Sequence, residues 1–199
     1  GPDRLGAASI EASAAVPAGA TLLRLPADEI EQRLLANPWV LSVAVKRVVP
    51  STLRIVVTER EPAVLVDAGS TFWSVDRSGR ILGQESLETS SGTLVVVRDV
   101  QGFEASPGVV SAAPGLTNAL KVLEGMTPEI ASMVRGVSAP TVEETVLITA
   151  GSVEIMVGEA TQLAEKCTLI SGILAEQGDS VVFIDVRSIE RPVSRGLGE

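Results

Sequence analysis

Two short runs of alternating residues, joined by a proline-containing turn, constrain the fold of this chain more than any other feature. They lie within residues 37–62, in the stretch NPWVLSVAVKRVVPSTLRIVVTEREP. Apolar residues alternate with other residues over positions 41–49 and again over 53–58, which is the period of a strand with one buried face. Because a proline turn at positions 50–52 interrupts the alternation, the stretch is predicted to form a β-hairpin.

A helix is predicted immediately before the hairpin, over residues 26–36. Proline suits the first turn of a helix, and Ile30 and Leu34 fall on one face. Asn37 is disfavoured in the helical region because a proline follows it, so the helix is predicted to end there. The predicted unit is therefore a helix followed by a hairpin, with an exit from the hairpin at Pro62.

Several short motifs resemble one bacterial family. In the predicted unit they are P-W-V at 38–40, V-x-R at 45–47, P-x-T-L-x-I at 50–55 and T-E-R-E-P at 58–62. In this order they resemble the POTRA domain of the cell-division proteins FtsQ and DivIB. Downstream, G-x-V-x-I-x-x-G at 151–158, L-x-x-K at 163–166 and I-D-V-R at 184–187 are similar to the second domain of that family, the β domain. The resemblance covers nearly the whole chain.

The remaining pattern predicts further elements. Helices are predicted at 3–16, 116–123, 127–134 and 161–177, and strands or extended segments at 63–66, 71–75, 80–82, 94–97, 144–149, 152–157, 181–186 and 188–195. This order predicts an α+β fold with mostly antiparallel pairing. The resemblance implies two domains. Residues 1–62 would form a small POTRA domain, with helices packed on a hairpin sheet, and residues 63–199 a mostly antiparallel β domain flanked by helices.

The amino-terminal region departs from the family pattern. A POTRA domain of this kind normally begins with a strand, and no segment of the sequence predicts one. Either the sequence begins inside the domain, or residues 7–13 form a distorted strand. The dipeptide Gly1-Pro2 is typical of the remnant of a cleaved expression tag. The sequence has no apolar run of about eighteen residues, and the resemblance implies that a short cytoplasmic tail and a single membrane-spanning helix precede this portion.

Composition argues against several classes of function. Of 199 residues, 45% are hydrophobic and 21% are charged, which is typical of a globular protein. A net charge of −9 without a basic run argues against nucleic acid, because phosphates require a positive face. Histidine is absent, which removes the commonest general base and zinc ligand, and we expect no cofactor or metal. Cys167 has no histidine to activate it, so we interpret it as a core residue.

Two polar clusters are compatible with chemistry but favour a structural role. Glu59, Arg60 and Glu61 lie at the end of the predicted hairpin, where charged side chains are usually solvated, and nothing in the sequence converges on them. Asp76 and Gly79 fit a hairpin turn, because Asp bonds to nearby backbone N–H groups and Gly tolerates positive φ. We therefore interpret neither cluster as an active site.

The best candidate for a functional site is the last extended segment. A strand at the edge of a sheet offers free N–H and C=O groups with which another chain can pair. In the family that this sequence resembles, the strand after an Asp-x-Arg motif is the docking edge for FtsB, a coiled-coil protein paired with FtsL. The resemblance implies the same role here for Ser188, Ile189, Glu190, Arg191, Pro192 and Val193, with Arg187 alongside. It also implies a POTRA surface for other division proteins, which includes Val45, Arg47 and Glu59.

The expected function is a non-catalytic scaffold of the bacterial division complex. By the resemblance, a single membrane span would hold this portion outside the cytoplasm at the septum, where FtsB/FtsL-like (DivIC/FtsL) proteins would bind it. Two alternatives stay open. A POTRA-containing module of an outer-membrane assembly or secretion transporter would normally be followed by further POTRA copies, and the sequence contains no internal repeat. A cell-wall hydrolase would need two carboxylates that converge in a cleft.

Overall fold

The computed structural model describes residues 5–17, 21–22, 25–86 and 94–197 of the chain. Within these ranges the helices are α1 (Ala7–Ala14), α2 (Ala27–Leu35), α3 (Pro114–Gly125), α4 (Pro128–Met133) and α5 (Leu163–Gln177), which a 3-10 turn (Gly178–Ser180) extends. The strands are β1 (Val40–Val48), β2 (Thr52–Glu59), β3 (Pro62–Asp67), β4 (Phe72–Asp76), β5 (Ile81–Glu85), β6 (Val95–Arg98), β7 (Val134–Ser138), β8 (Val146–Thr149), β9 (Glu154–Met156), β10 (Val181–Asp185) and β11 (Val193–Gly196).

The first unit consists of α1, α2 and the antiparallel hairpin β1–β2. One face of the hairpin packs on a small buried cluster from the helical region, which contains Ala14, Leu25, Ile30 and Leu34. The predicted helix and hairpin are therefore confirmed. Residues 7–13 are helical, so the alternative of a distorted strand there is wrong. The segment AASIEASA is rich in alanine, the residue with the highest intrinsic helix propensity.

Nine strands form one sheet in the order β11-β10-β9-β8-β7-β6-β3-β4-β5. The pairings β3–β6, β6–β7 and β9–β10 are parallel, and the others are antiparallel. The predicted α+β fold with mostly antiparallel pairing is confirmed. Near the parallel centre, the successive residues Val64, Leu65 and Val66 of β3 are all buried. Since successive side chains of a strand point to opposite faces, both faces of this part of the sheet are covered, which explains the continuous apolar run.

Three helices pack against the nine-stranded sheet in a single core. Leu116 and Val122 of α3, Ile130 of α4 and Ile170 of α5 are fully buried there. Cys167 lies in the same core, as its position on the apolar face of α5 predicts. No helix within the described ranges is both long and apolar enough to cross a membrane.

The last strand begins later than predicted. The sequence predicts an extended segment over 188–195, but residues 187–192 form a turn and β11 begins at Val193. The turn starts because the Asp185 carboxylate accepts a hydrogen bond from the backbone N–H of Arg187, two residues on, at 3.0 Å. The prediction that the strand begins at residue 188 is therefore wrong.

Candidate functional site

The two edges of the nine-stranded sheet differ in what covers them. At one edge, Ile81 of β5 donates its N–H to the Val109 carbonyl at 2.9 Å and accepts the Gly108 N–H at 2.7 Å. The Trp39 side chain also lies against this strand, since a Cβ built at Gly83 would be 3.3 Å from the indole nitrogen. The chain thus closes this edge with its own residues.

At the other edge, β11 pairs with β10 on one side. On its outer side no strand pairs with it among the residues that the structure describes. The register sets Ser194 opposite Ile184 and Arg195 opposite Phe183. In an antiparallel edge strand, alternate residues direct both backbone groups away from the neighbouring strand. The strand β11 therefore offers N–H and C=O groups to an added chain.

The two faces of β11 have different surroundings. On one face the Ser194 hydroxyl accepts a hydrogen bond from Gln177 Nε2 of α5 at 2.6 Å. On the other, the Arg195 guanidinium lies 4.9 Å from the centre of the Phe183 ring, a cation–π distance. Val193 shares the face of Arg195 and is 48% exposed. The helix fixes one face, and the other presents apolar and aromatic surface beside the open edge.

An ion pair holds the turn that precedes β11. The Arg187 Nη2 atom donates to Asp185 Oδ2 at 2.8 Å, and its Nε donates to Oδ1 at 3.1 Å. The stem of Arg187 lies across Gly158, where a Cβ would be only 2.9 Å from the Arg187 Cγ. Gly158 also has a φ of 65°, which favours glycine. A larger residue at position 158 would therefore displace the turn.

A buried lysine holds the segment that carries Gly158. Lys166 is 1% exposed, and its Nζ donates to the carbonyls of Val157 at 2.9 Å and Glu159 at 2.8 Å. The Asn118 Nδ2 atom donates to the Gly158 carbonyl at 2.9 Å. Burial lowers the pKa of Lys166 below its ordinary value, and the charge of Glu159 offsets part of that shift. The Glu159 carbonyl also accepts the backbone N–H of Thr161 at 2.8 Å. Together these bonds give donors to the buried carbonyls and fix the segment on which the turn rests.

Charged side chains line a shallow pocket beside the turn. They are those of Glu143, Glu159, Asp185, Arg187 and Arg191. Hydrogen bonds from Arg187 lower the pKa of Asp185 below its ordinary value, while burial acts in the opposite direction. A general acid needs the reverse, a carboxyl group with a raised pKa. The geometry around Asp185 is therefore that of a structural ion pair.

The residues predicted to bind a partner divide between the turn and the strand. Val193 is the first residue of β11, whereas Arg187 and residues 188–192 lie in the turn before it. All of them are next to the open edge, but only Val193 can extend the sheet with its own backbone. The prediction omits residues 194–196, which form the rest of that edge. Contact of these residues with a partner stays a prediction.

The residues predicted for a POTRA surface also make internal contacts. The Val45 side chain packs against the buried cluster of the first unit. The Arg47 Nη2 atom donates to the Leu25 carbonyl at 2.7 Å. The Glu59 carboxylate accepts the backbone N–H of Leu5 at 3.0 Å. Each of them therefore supports the first unit, and their contact with other division proteins stays a prediction.

Sequence reasoning missed a polar contact that joins the two sheets. Arg60 donates from Nε to the Val40 carbonyl at 3.2 Å and from Nη1 to the Asp76 carboxylate at 2.9 Å. Burial alone would raise the pKa of Asp76, but hydrogen bonds from Ser78, Arg80 and Arg60 outweigh it and hold the pKa below its ordinary value. The turn predicted at Asp76 is present. No local pattern connects it to Arg60, because the pair is formed only in the folded chain.

Two protein families match the chain in consecutive segments. Residues 1–60 match the family described as "POTRA domain, FtsQ-type". Residues 63–187 match the family described as "Cell division protein FtsQ/DivIB, C-terminal". The second match covers more than half of the chain and includes the strands from β3 to β10.

Curated relatives carry a similar description. "Cell division protein FtsQ" of Corynebacterium glutamicum is 29% identical over 162 residues, which are 80% of this chain and 68% of the relative. The protein of the same name from Mycobacterium tuberculosis is 28% identical over 171 residues, 86% of this chain and 50% of the relative. That of Streptomyces venezuelae is 44% identical over 71 residues, 35% of this chain and 26% of the relative. The chain thus spans about two thirds of the corynebacterial relative and half or less of the other two.

Proposed function

Because residues 63–187 match the FtsQ/DivIB family over more than half of the chain, the chain belongs to that family of cell division proteins, and we propose that it is a non-catalytic scaffold of the division complex. In this role it links cytoplasmic-side and extracytoplasmic division proteins and binds an FtsB/FtsL-like (DivIC/FtsL) coiled-coil partner. Binding occurs by β-strand addition, in which a segment of the partner pairs with the outer side of β11.

The open edge at β11 is the observation that carries this proposal. At the opposite edge, the backbone groups of Ile81 are bonded to residues 108–109 of the same chain. In the described part of the chain, no strand pairs with the outer side of β11. Proteins usually cover or interrupt their exposed edges, because a free edge pairs with other chains. An ordered strand left open at one edge only therefore supports pairing with a partner there.

Side chains beside the edge supply selectivity, and tethering supplies affinity. An added strand would place alternate side chains next to Val193 and next to the Arg195–Phe183 pair. Each main-chain hydrogen bond contributes only about 0.5–1.5 kcal/mol, and β11 has four residues. A single docking event is therefore weak. A coiled-coil partner anchored in the same membrane raises the effective concentration of the docking segment.

The proposal extends to the whole protein. A membrane-spanning helix before this portion anchors it at the division septum, with the described domains outside the cytoplasm. The chain divides between residues 62 and 63, which the two consecutive family matches and the two separate buried clusters support. Other division proteins contact the first domain at a surface that includes Val45, Arg47 and Glu59.

Proline substitution at two successive residues of β11 tests strand addition. Ser194 and Arg195 are neighbours, so one directs its N–H toward β10 and the other directs it outward. Ser194→Pro and Arg195→Pro each remove one N–H group. We expect the variant that lacks the outward N–H to bind a soluble FtsB/FtsL-like coiled coil at least about fivefold more weakly. Its melting temperature should not change. The other variant loses stability. Calorimetric titration and thermal unfolding measure the two effects.

Alanine variants at the same two positions are the matched controls. Ser194→Ala removes the bond to Gln177, and Arg195→Ala removes the contact with Phe183, while both keep the backbone N–H. Partner affinity within about twofold of the unmodified chain is expected for Ser194→Ala. Arg195→Ala removes one side-chain contact beside the edge, so it should lose less than the roughly fivefold expected of the proline variant without the outward N–H. Strand addition at β11 is excluded if both proline variants bind the coiled coil as tightly as the unmodified chain.

A further inference from the structure

The hairpin of the first unit has a second face, turned away from its buried cluster. The residues on this outer hairpin face are Ser42, Ala44, Lys46 and Val48 of β1 and Thr52, Arg54, Val56 and Thr58 of β2. They alternate with the residues that contact the buried cluster. All except the half-buried Ala44 are exposed, and Val56 is 49% exposed. The outer hairpin face is therefore an accessible surface on a two-stranded sheet.

Two cations oppose each other on the outer hairpin face. The strand register pairs Lys46 directly with Arg54. Like charges at directly opposed positions destabilise a hairpin. Neither side chain forms an ion pair or a hydrogen bond with another residue in the described ranges. The face therefore holds two positive charges that the fold leaves unmatched.

The local charge contrasts with that of the whole chain. The chain has a net charge of −9, yet none of the eight residues on the outer hairpin face is acidic. Two arginines elsewhere in the chain are matched by carboxylates: Arg60 pairs with Asp76 and Arg187 with Asp185. Lys46 and Arg54 differ from them because no carboxylate of the described chain reaches either one.

We propose that the outer hairpin face binds an acidic segment of a partner protein. Carboxylates of that segment accept charge-assisted hydrogen bonds from Lys46 and Arg54, and the arginine fork can bind one carboxylate through two bonds. Exposed Val48 and Val56 contribute apolar contact next to the cations. Binding of negative charge also relieves the repulsion between the opposed cations. The free energy that this repulsion costs the unbound hairpin is therefore regained on binding and adds to the affinity.

An anionic membrane or a nucleic acid fits this face less well. Segments that bind acidic lipids usually carry about four to eight cations, and the outer hairpin face carries Lys46 and Arg54 alone. Nucleic-acid binding likewise depends on neutralising many phosphates. Two closely spaced cations with apolar neighbours match a short protein segment in which carboxylates alternate with apolar or hydroxyl side chains.

This surface lies outside the strand-addition site. The hairpin forms its own two-stranded sheet, and β11 belongs to the nine-stranded one. Binding at the outer hairpin face also uses side chains, whereas strand addition uses the backbone of β11. The loss of either activity is therefore measurable while the other is intact.

A labelled acidic peptide provides the probe. We would titrate the full chain into a fluorescein-labelled peptide of about ten residues, the span of one such strand, in which Glu alternates with Val and Thr. The control peptide has Gln at every Glu position. We expect binding of the Glu peptide to be at least about tenfold tighter than that of the Gln peptide by fluorescence anisotropy. The difference should vanish in about 0.5 M salt, which screens exposed charges.

Charge reversal at Lys46 separates binding from folding. Lys46→Glu places opposite charges across the strands, so the melting temperature should hold or rise. The same change should weaken binding of the Glu peptide at least about tenfold. Lys121→Glu is the matched control, because Lys121 is exposed on α3 and its reversal changes the net charge equally. We expect Lys121→Glu to leave peptide binding within about twofold.

Three results would overturn the proposal. The first is equal binding of the Glu and Gln peptides by the unmodified chain. The second is an equal loss of binding in Lys46→Glu and Lys121→Glu, which would assign the effect to net charge. The third is binding of phosphatidylglycerol vesicles that depends on Lys46 while the Glu peptide does not bind, which would assign the face to a membrane.

Discussion

The two edges of the nine-stranded sheet differ in whether the chain itself covers their outward-facing backbone groups. The backbone groups of Ile81 in β5 are bonded to residues 108–109, and Trp39 of the first unit lies against Gly83 of the same strand. The strand β11, at the other end of the sheet, has its turn and its inner side fixed, and no strand among the described residues pairs with its outer side. The contrast is the basis for the proposal that a partner pairs with the edge at β11.

Different contacts also stabilise the two edges. The closed edge is where the first unit attaches, through Arg60, Asp76 and Trp39. The open edge is supported from within its own domain, by Lys166, which orders the segment beneath Arg187. The attachment of the first unit and the proposed partner site thus lie at opposite ends of one sheet.

Removing the tryptophan from the closed edge should have the largest effect on this contrast. Trp39→Ala deletes a half-buried ring that contacts Gly83, and we expect it to cost about 2–4 kcal/mol of stability in the first unit. Hydrogen exchange should show lost protection in β1 and β2, with β6 to β11 unchanged. Coiled-coil affinity at β11 should stay within about twofold.

Trp39→Phe serves as the control for this prediction, because it keeps an aromatic ring against the strand and should cost less. A fall in the protection of β11 as large as that of β1 and β2 would contradict the assignment of separate roles to the two edges.

Removing the buried lysine should loosen the support of the open edge. Lys166→Met keeps the volume of the side chain but removes the Lys166 donor from the Val157 carbonyl and leaves the Glu159 carbonyl with the Thr161 N–H alone. We expect a loss of about 2–3 kcal/mol in the free energy of unfolding of the second domain. Partner affinity should fall with it, because the segment under Arg187 becomes less ordered. Urea unfolding measures the stability and calorimetric titration measures the affinity. An unchanged affinity would show that Lys166 does not support partner binding at β11.

Acid should weaken the closed edge through Asp76, with the smallest effect of the three. Hydrogen bonds hold its folded-state pKa below its ordinary value. Its contribution to stability is therefore complete above about pH 4 and is lost as the pH falls through the folded-state pKa. Asp76→Asn should cost about 1–2 kcal/mol at neutral pH, and the difference between this variant and the unmodified chain should shrink below pH 4.

Asp67→Asn is the control for the acid titration, since the Asp67 carboxylate lies 4.0 Å from Arg98 at a more exposed position. A difference between Asp76→Asn and the unmodified chain that is constant from about pH 3 to pH 7 would show that the charge of Asp76 does not stabilise the junction.

Local sequence patterns predict those helices and strands in which buried and exposed residues recur at the period of the element. The alternation over residues 41–58 predicts the hairpin β1–β2 because one face of each strand packs on helices. Apolar residues at helical spacing predict α5, and Cys167 lies in the core for the same reason. The motifs that resemble FtsQ and DivIB added the family, which the matches at 1–60 and 63–187 confirm.

Features set by distant contacts could not be predicted in this way. The strand β7, with Arg135 and Gly136 in a five-residue segment, has no alternation to reveal it, and its neighbours β6 and β8 stabilise it. The start of β11 was misplaced because the Asp185 carboxylate captures the Arg187 N–H and forms a turn. The hydrogen bond between Arg60, which follows β2, and Asp76, the last residue of β4, joins the two sheets, and sequence spacing gives no sign of it.

Amide hydrogen exchange of β11, with and without a soluble FtsB/FtsL-like coiled coil, tests the central claim most directly. If a partner strand adds to the open edge, alternate amides among residues 193–196 should exchange at least about tenfold more slowly in the complex. The amide of Ile81 at the closed edge, already bonded to Val109, should not change. A bound complex in which no β11 amide slows, or in which new protection arises at β5 instead, would contradict the account.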